Sequence, residues 1–196
     1  MSTPLRLAVI QGSTREGRLG PTVAHWLAGH ATDRPDLAVD VIDLAETPLP
    51  TVFPHLGQAP ADEADLALLR AVSPRLAAAD AFAVVTPEYN HSYPASLKNA
   101  IDWHNKEWHA KPVAFVSYGG FSAGLRAVEH LRGVFAELHA VTLRESVGLA
   151  GVWGQFDAEG KAVDPGADTA AKAMLERLVW WADALREARA KKPYGA

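Results

Sequence analysis

Pro87, Glu88, Tyr89, Asn90 and His91 stand in a row directly after the apolar run Ala81 to Thr86, and Pro94 follows close behind. A buried strand thus runs out into a polar, aromatic loop, and proline suits the first position of the helix that comes next. Tyr89 and His91 can lie against a planar aromatic ligand, worth about 0.5–1.5 kcal/mol beyond burial. Asn90 offers a donor and an acceptor in one side chain. A second loop, Gly12 to Gly20, reads Gly-Ser-Thr-Arg-Glu-Gly-Arg-Leu-Gly between a strand and a helix. Unpaired N–H groups and the dipole at a helix N-terminus attract anions. Ser13 and Thr14 add hydroxyls. Arg15 and Arg18 add charge-assisted hydrogen bonds of about 1.5–3 kcal/mol each. This loop is built to hold a phosphate. A third, Ser117-Tyr118-Gly119-Gly120, ends another apolar run, and its paired glycines let backbone approach a ligand closely.

Better-known motifs fail on these same residues. Gly12 and Gly17 satisfy the first half of a Walker A loop, but Arg18 and Leu19 stand where Lys and Ser/Thr belong. The dinucleotide pattern fails because residue 14 is Thr14 and not glycine. Gly120-Phe121-Ser122-Ala123-Gly124 matches a nucleophile elbow. That fold needs an acid and then a histidine after the serine, whereas the last histidine here is His139, ahead of Asp157, Asp164, Asp168 and Asp183. His104 and His109, like His25 and His30, are spaced poorly for one helical face. No zinc motif is present, so no metal site and no catalytic nucleophile are assigned.

The elements that must position these loops alternate strand and helix, the signal of a parallel sheet. The strands are Leu5 to Ile10, Ala38 to Ile42, Ala81 to Thr86, Val113 to Ser117 and one within Val141 to Gly148. The helices begin near Pro21, with Val23, Trp26 and Leu27 on one face, and cover Asp62 to Ala79, with Leu66, Leu69 and Leu76 inward. The others span Pro94 to about Trp103, Leu125 to Leu138 and Thr169 to about Lys191. Thr47 to Pro60 holds four prolines and a glycine and reads as a long loop. Gly154 to Asp168 reads as a polar loop. Right-handed crossovers then leave a few doubly wound topologies. The expectation is an α/β fold of three layers, α/β/α, with a five-stranded parallel sheet in the flavodoxin-like order 2-1-3-4-5. In that order the three loops converge on one crevice. Residues 1–196 are read as one domain.

Composition bounds the rest. The chain has 196 residues, 48% apolar and 21% charged, with a formal net charge of −4. No basic region points to nucleic acid, and no apolar window reaches membrane-spanning length. Met1 to Arg6 lacks the pattern of a signal peptide. The chain has no cysteine, which excludes disulfides and cysteine-held clusters and fits a cytoplasmic setting. Trp103, Trp108, Trp180 and Trp181 lie near helix ends. Exposed tryptophans there would indicate a subunit interface.

The stretches Gly12-Ser-Thr-Arg15, Pro87-Glu-Tyr-Asn90, Ser96 to Trp103 and Ser117 to Gly120, in this order and spacing, resemble the NADPH-dependent FMN reductase family of flavodoxin-like proteins. The resemblance covers residues 5 to 190, and Pro87 to Trp103 is its most specific part. It implies bound FMN, with NADPH or NADH as co-substrate. Ser13, Arg15 and the turn Arg18-Leu19-Gly20 would hold the phosphate. Pro87, Glu88, Tyr89 and Asn90 would line the isoalloxazine, with His91 beside them, and Ser117, Tyr118, Gly119 and Gly120 would meet its pyrimidine edge. Many members carry serine and asparagine where this chain has Arg18 and Gly20, so a guanidinium replaces a hydroxyl. The implied reaction passes a hydride from the nicotinamide to FMN and then electrons to a small acceptor: a quinone, azo dye, chromate or free flavin. Relatives form homodimers or homotetramers. A non-enzymatic electron carrier or ligand sensor, and an enzyme for another phosphorylated ligand, stand beside this reading.

Overall fold

The computed structural model describes residues 3–55, 58–60 and 62–195. The strands are β1 (Leu5–Gln11), β2 (Leu37–Asp43), β3 (Ala81–Pro87), β4 (Pro112–Gly119) and β5 (Val141–Ala150). They form one sheet in the order β2-β1-β3-β4-β5, and every neighbouring pair is parallel. The helices are α1 (Gly20–Thr32), α2 (Glu63–Ala78), α3 (Ala95–Asp102), α4 (Leu125–Glu137) and α5 (Pro165–Lys191). The α/β/α architecture and strand order expected from the sequence are therefore observed.

Alternation along each strand divides the core in two. Leu7, Val9, Ala83 and Val116 face α1 and α5. Ala8, Ile10, Val84 and Phe115 face α2, α3 and α4. All seven residues of β3 are buried, as a central strand covered on both faces requires. β2, at an edge, is only partly buried. On α2 the buried residues are Val72 and Leu76, while Leu66 and Leu69 are half-buried. The loop expected over 47–60 includes residues 56 and 57, which lie outside the described residues.

Several boundaries differ from the sequence reading, among them the end of β5, which runs to Ala150. β4 continues through Ser117 and Tyr118 to Gly119, because β5 keeps pairing with it: Ser117 opposite Gly148, Tyr118 opposite Leu149, Gly119 opposite Ala150. The register shifts along this pair between Val113 and Phe115. Beside that irregularity the Arg132 guanidinium donates to the carbonyls of Leu143 and Arg144. α5 begins at Pro165 and not Thr169, because the Asp164 carboxylate caps it, accepting from the Gly166 N–H at 2.8 Å. Trp108 is buried and Trp103 is half-buried against the core, whereas Trp180 and Trp181 are exposed on α5.

Lys111 precedes β4 with its ammonium buried, donating to the carbonyls of Leu76 (3.1 Å) and Ala77 (2.9 Å) at the end of α2. Burial first, and the Arg189 charge second, push its pKa from 10.5 down to about 8. The native state therefore binds fewer protons than the unfolded chain between those values, and stability rises with pH across that window. Urea midpoints measured from pH 8 to 10.5 are expected to climb relative to those of Lys111→Met. Parallel profiles would refute this.

Candidate functional site

The β1–α1 loop opens on Gly12, whose N–H donates to the Val85 carbonyl (2.9 Å) and whose carbonyl accepts from Ser96 Oγ (2.7 Å). Those bonds tie the loop to β3 and α3. Ser13 is buried, and its hydroxyl meets the Tyr89 hydroxyl at 2.7 Å. α1 then starts without a side-chain cap and without an acidic residue in its first turn. Its leading N–H groups, Pro21 contributing none, thus have neither a side-chain acceptor nor a carboxylate in that turn, and Leu19 just before them lines the crevice. Arg15 is exposed and has no carboxylate partner among the described residues. Its guanidinium lies over the Tyr89 ring, 4.4 Å from the centroid. Arg18 is half-committed: Nη2 holds the Asp43 carboxylate at 2.8 Å, while the buried Nε has no partner.

After β3 the chain makes a two-residue turn. Tyr89 and Ser92 exchange both backbone hydrogen bonds, 2.8 and 3.0 Å long. Asn90 and His91 between them take φ values of 50° and 70°. Two left-handed residues are what the tightest hairpin turn requires, and asparagine tolerates that region well. This geometry puts Asn90 and His91 at an exposed tip, outside the cavity lining that includes Tyr89. Ser92 Oγ, 3.0 Å from His130 Nδ1, secures the turn to α4.

Glu88 lines the cavity, and its carboxylate is tied to the β4–α4 loop. Its carboxylate accepts from Ser122 Oγ (2.9 Å), from the Arg126 backbone N–H (3.2 Å) and from Arg126 Nε (2.6 Å). Burial works to raise its pKa, but the bonds from Arg126 and Ser122 prevail and hold the carboxyl below its ordinary value. Ser122, the serine of the elbow-like motif, therefore donates to a carboxylate. Ser117 is buried in the sheet and donates to the Ala123 carbonyl (2.8 Å). Gly124 caps α4 at φ 81°, and a Cβ there would stand 2.8 Å from Ser117 Cβ and 3.0 Å from the Tyr118 nitrogen. Together Glu88, Ser117 and Gly124 clamp the β4–α4 loop, leaving Gly119 and Gly120 on the crevice wall.

The loops enclose a cavity of about 280 Å³ at the carboxyl ends of the strands. Ser13, Arg15, Arg18 and Leu19 line it from one side, together with Gly17. Pro87, Glu88 and Tyr89 line it from β3, and Tyr118, Gly119 and Gly120 from β4. Gly20 sits beneath, at the start of α1. Val152 and Trp153 complete the wall from a single turn after β5. They lie in a stretch whose only sequence signal is a tryptophan among glycines. Clefts of about 600 and 540 Å³ lie elsewhere on the protein, but they do not gather the loops at the carboxyl edge of the sheet. In open parallel sheets that edge is where ligands bind.

These features define a class: a flavodoxin-like α/β protein whose crevice joins an anion cradle to a flat aromatic and glycine wall. The model of the family NADPH-dependent FMN reductase matches residues 5–154, and the chain belongs to that family. It is 32% identical over 197 residues to an NAD(P)H-dependent FMN reductase of Pseudomonas aeruginosa, covering 95% of this chain and all of that one. It is 31% identical over 185 residues to a 2-hydroxy-1,4-benzoquinone reductase of a Burkholderia species, covering 90% and 96%. Among solved structures, FerB of Paracoccus denitrificans, a flavoenzyme NAD(P)H:(acceptor) oxidoreductase, shares the fold with a TM-score of 0.77 at 24% identity, covering 92% and 98%. The chain is an oxidoreductase that uses FMN and NAD(P)H. No helix among the described residues is long and apolar enough to cross a membrane.

The crevice fits FMN on its own terms. An uncapped helix start, a cation without a carboxylate partner and a half-free guanidinium suit a phosphate. Tyr89, Pro87 and the Gly119–Gly120 backbone suit a flat, hydrogen-bonding ring.

Proposed function

We propose that the protein passes reducing equivalents from NAD(P)H through FMN to a small quinone. The observation that carries this is the convergence of the uncapped α1 start and Arg15 with Tyr89 and the Gly119–Gly120 wall in one open crevice. Ser13, Arg15 and Arg18 are assigned to the phosphate. Pro87 and Tyr89 are assigned to the ring, and the backbone of Gly119 and Gly120 to its pyrimidine edge. Bound FMN supplies two-electron chemistry, accepting a hydride and releasing electrons to an oxidant. The protein's part is to bind, orient and shield, and no side chain need act as nucleophile. Nicotinamide and acceptor would use the same open face in turn, which predicts ping-pong kinetics. The relative named for 2-hydroxy-1,4-benzoquinone supports a quinone over a protein partner. The proposal includes a homodimer or homotetramer, since Trp180 and Trp181 leave apolar surface on α5 for a second copy to cover.

The test is a visible spectrum of the purified protein with FMN, followed by anaerobic NADPH and then benzoquinone. Rapid bleaching and rapid recovery are expected, from a species that elutes as a dimer or tetramer. Flavin that stays yellow with both nicotinamides would favour an electron carrier. Reduced flavin that ignores benzoquinone would remove the acceptor assignment.

A further inference from the structure

Five buried side-chain nitrogen and oxygen atoms lack a hydrogen-bond partner among the described residues, and four of them belong to the floor of the cradle. They are Gln11 Oε1 and Nε2, the Tyr118 hydroxyl and Arg18 Nε; the fifth, on His109, lies beyond the opposite end of β4. Gln11 closes β1 and is 1% exposed. Tyr118 is near the end of β4 and 5% exposed. Both point to the α1 face of the sheet and meet at Gly20. A Cβ on that glycine would stand 2.1 Å from Gln11 Nε2 and 2.9 Å from the Tyr118 hydroxyl. Residue 20 therefore has no side chain because two polar groups occupy the space.

Buried polar groups are almost always paired, and each one left unpaired carries a desolvation penalty. Four together at a ligand site call for a cause. Their chemistry supplies it, because donors and acceptors match. Arg18 Nε–H only donates, Gln11 Oε1 only accepts, Gln11 Nε2 donates, and the Tyr118 oxygen both accepts and donates. Linked in that order they use every unpaired atom and leave one O–H at the end. That O–H is itself buried, beside the Ser13 side chain, and belongs to a residue that lines the cavity together with Ser13. Arg18 can join without leaving Asp43, which is held by Nη2 and not by Nε.

We propose that Gln11 is a positioning residue that couples the cradle to its ligand. When an FMN phosphate settles at the start of α1, Arg18 Nε–H donates to Gln11 Oε1 and Gln11 Nε2–H donates to the Tyr118 oxygen. The Tyr118 proton then donates to a phosphate oxygen. Gln11 touches no ligand atom itself. It fixes the direction of the Tyr118 hydroxyl and the plane of the Arg18 guanidinium. The inference rests on the FMN reading above.

A residue with this role has an unusual signature. Removing it relieves the free protein of unpaired buried groups and weakens the ligand complex. A merely structural glutamine would lower stability and leave affinity alone. The experiment uses Gln11→Met, Tyr118→Phe and the double variant, all freed of flavin. FMN affinity is read by quenching of flavin fluorescence, and melting temperature is read without ligand. Gln11→Met and Tyr118→Phe are each expected to bind FMN about tenfold more weakly, the loss of roughly one hydrogen bond. Their flavin-free melting temperatures should equal or exceed that of the unaltered protein. The double variant should bind no more weakly than Gln11→Met, because a broken chain cannot be broken again. Unchanged FMN affinity with a lowered melting temperature would overturn the role of Gln11 and leave the flavin reading intact. Failure of the unaltered protein to bind FMN would overturn both, and that outcome is visible before any variant is made.

Discussion

A Gly124→Ala protein is expected to lose about 2–5 kcal/mol of stability and most of its bound flavin. Two costs add. The backbone at φ 81° lies where a side chain is strained. The new Cβ would also stand 2.8 Å from Ser117 Cβ, 3.0 Å from the Tyr118 nitrogen and 3.1 Å from the Tyr118 oxygen. Two of those neighbours are sheet backbone, held by the β4–β5 ladder, so they cannot rotate aside. The chain must yield at the loop, which carries Gly119 and Gly120 away from the crevice. Urea unfolding of flavin-free protein gives the first number, and flavin absorbance per mole of purified protein gives the second. A wild-type midpoint would mean that the loop adapts at no cost, and the clamp described here would be wrong.

Arg15→Ala and Arg18→Ala are each expected to weaken FMN binding about 10- to 100-fold, from losing a charge-assisted hydrogen bond of about 1.5–3 kcal/mol. Their effects on stability should differ. Arg15 is exposed and stacks on Tyr89 without a carboxylate partner, so its loss should leave the flavin-free melting temperature unchanged. Arg18 neutralises Asp43, whose side chain is only 14% exposed and otherwise accepts from the Ala45 N–H. Removing Arg18 strands a partly buried carboxylate, which costs about 1–3 kcal/mol. Asp43→Asn added to Arg18→Ala should restore stability but not affinity. Titration calorimetry with FMN and thermal melts of the same four proteins separate the two. Equal affinity for Arg15→Ala and wild type would remove Arg15 from the phosphate site.

The frame was legible because it rests on local signals. Apolar strands such as Ala81 to Thr86 and the proline and glycine at loop edges report their own positions. The loops after β1 and β3 were legible as loops for the same reason. Partnerships were not, since they join residues far apart in sequence. Nothing near Asp43 announces that it holds Arg18, and nothing near Glu88 announces Ser122 and Arg126. Glu88 therefore reads as a ring contact in sequence, and the clamp its carboxylate makes with Ser122 and Arg126 is legible only in the fold. His91 differs: its aromatic type suggests stacking, and nothing in the sequence announces the two-residue turn, with both φ values positive, that sets it at an exposed tip. Tyr118 and Gly119 read as loop because of the paired glycines, yet the ladder with β5 holds them extended. The start of α5 was hidden by Gly166, though Asp164 and Pro165 are a sound cap. Trp153 reaches the crevice only because β5 ends beside β4.

The turn at Asn90 and His91 also bears on the entropy of ligand capture. Tyr89 is fixed by two backbone bonds to Ser92 and by Ser13 before any ligand arrives. The conformational freedom of that segment is given up when the chain folds, not when the flavin lands, and preordered walls bind more tightly for that reason. The exposed side chain of Arg15 is a different case: on the proposed phosphate assignment it would leave the face of Tyr89 at the moment of capture.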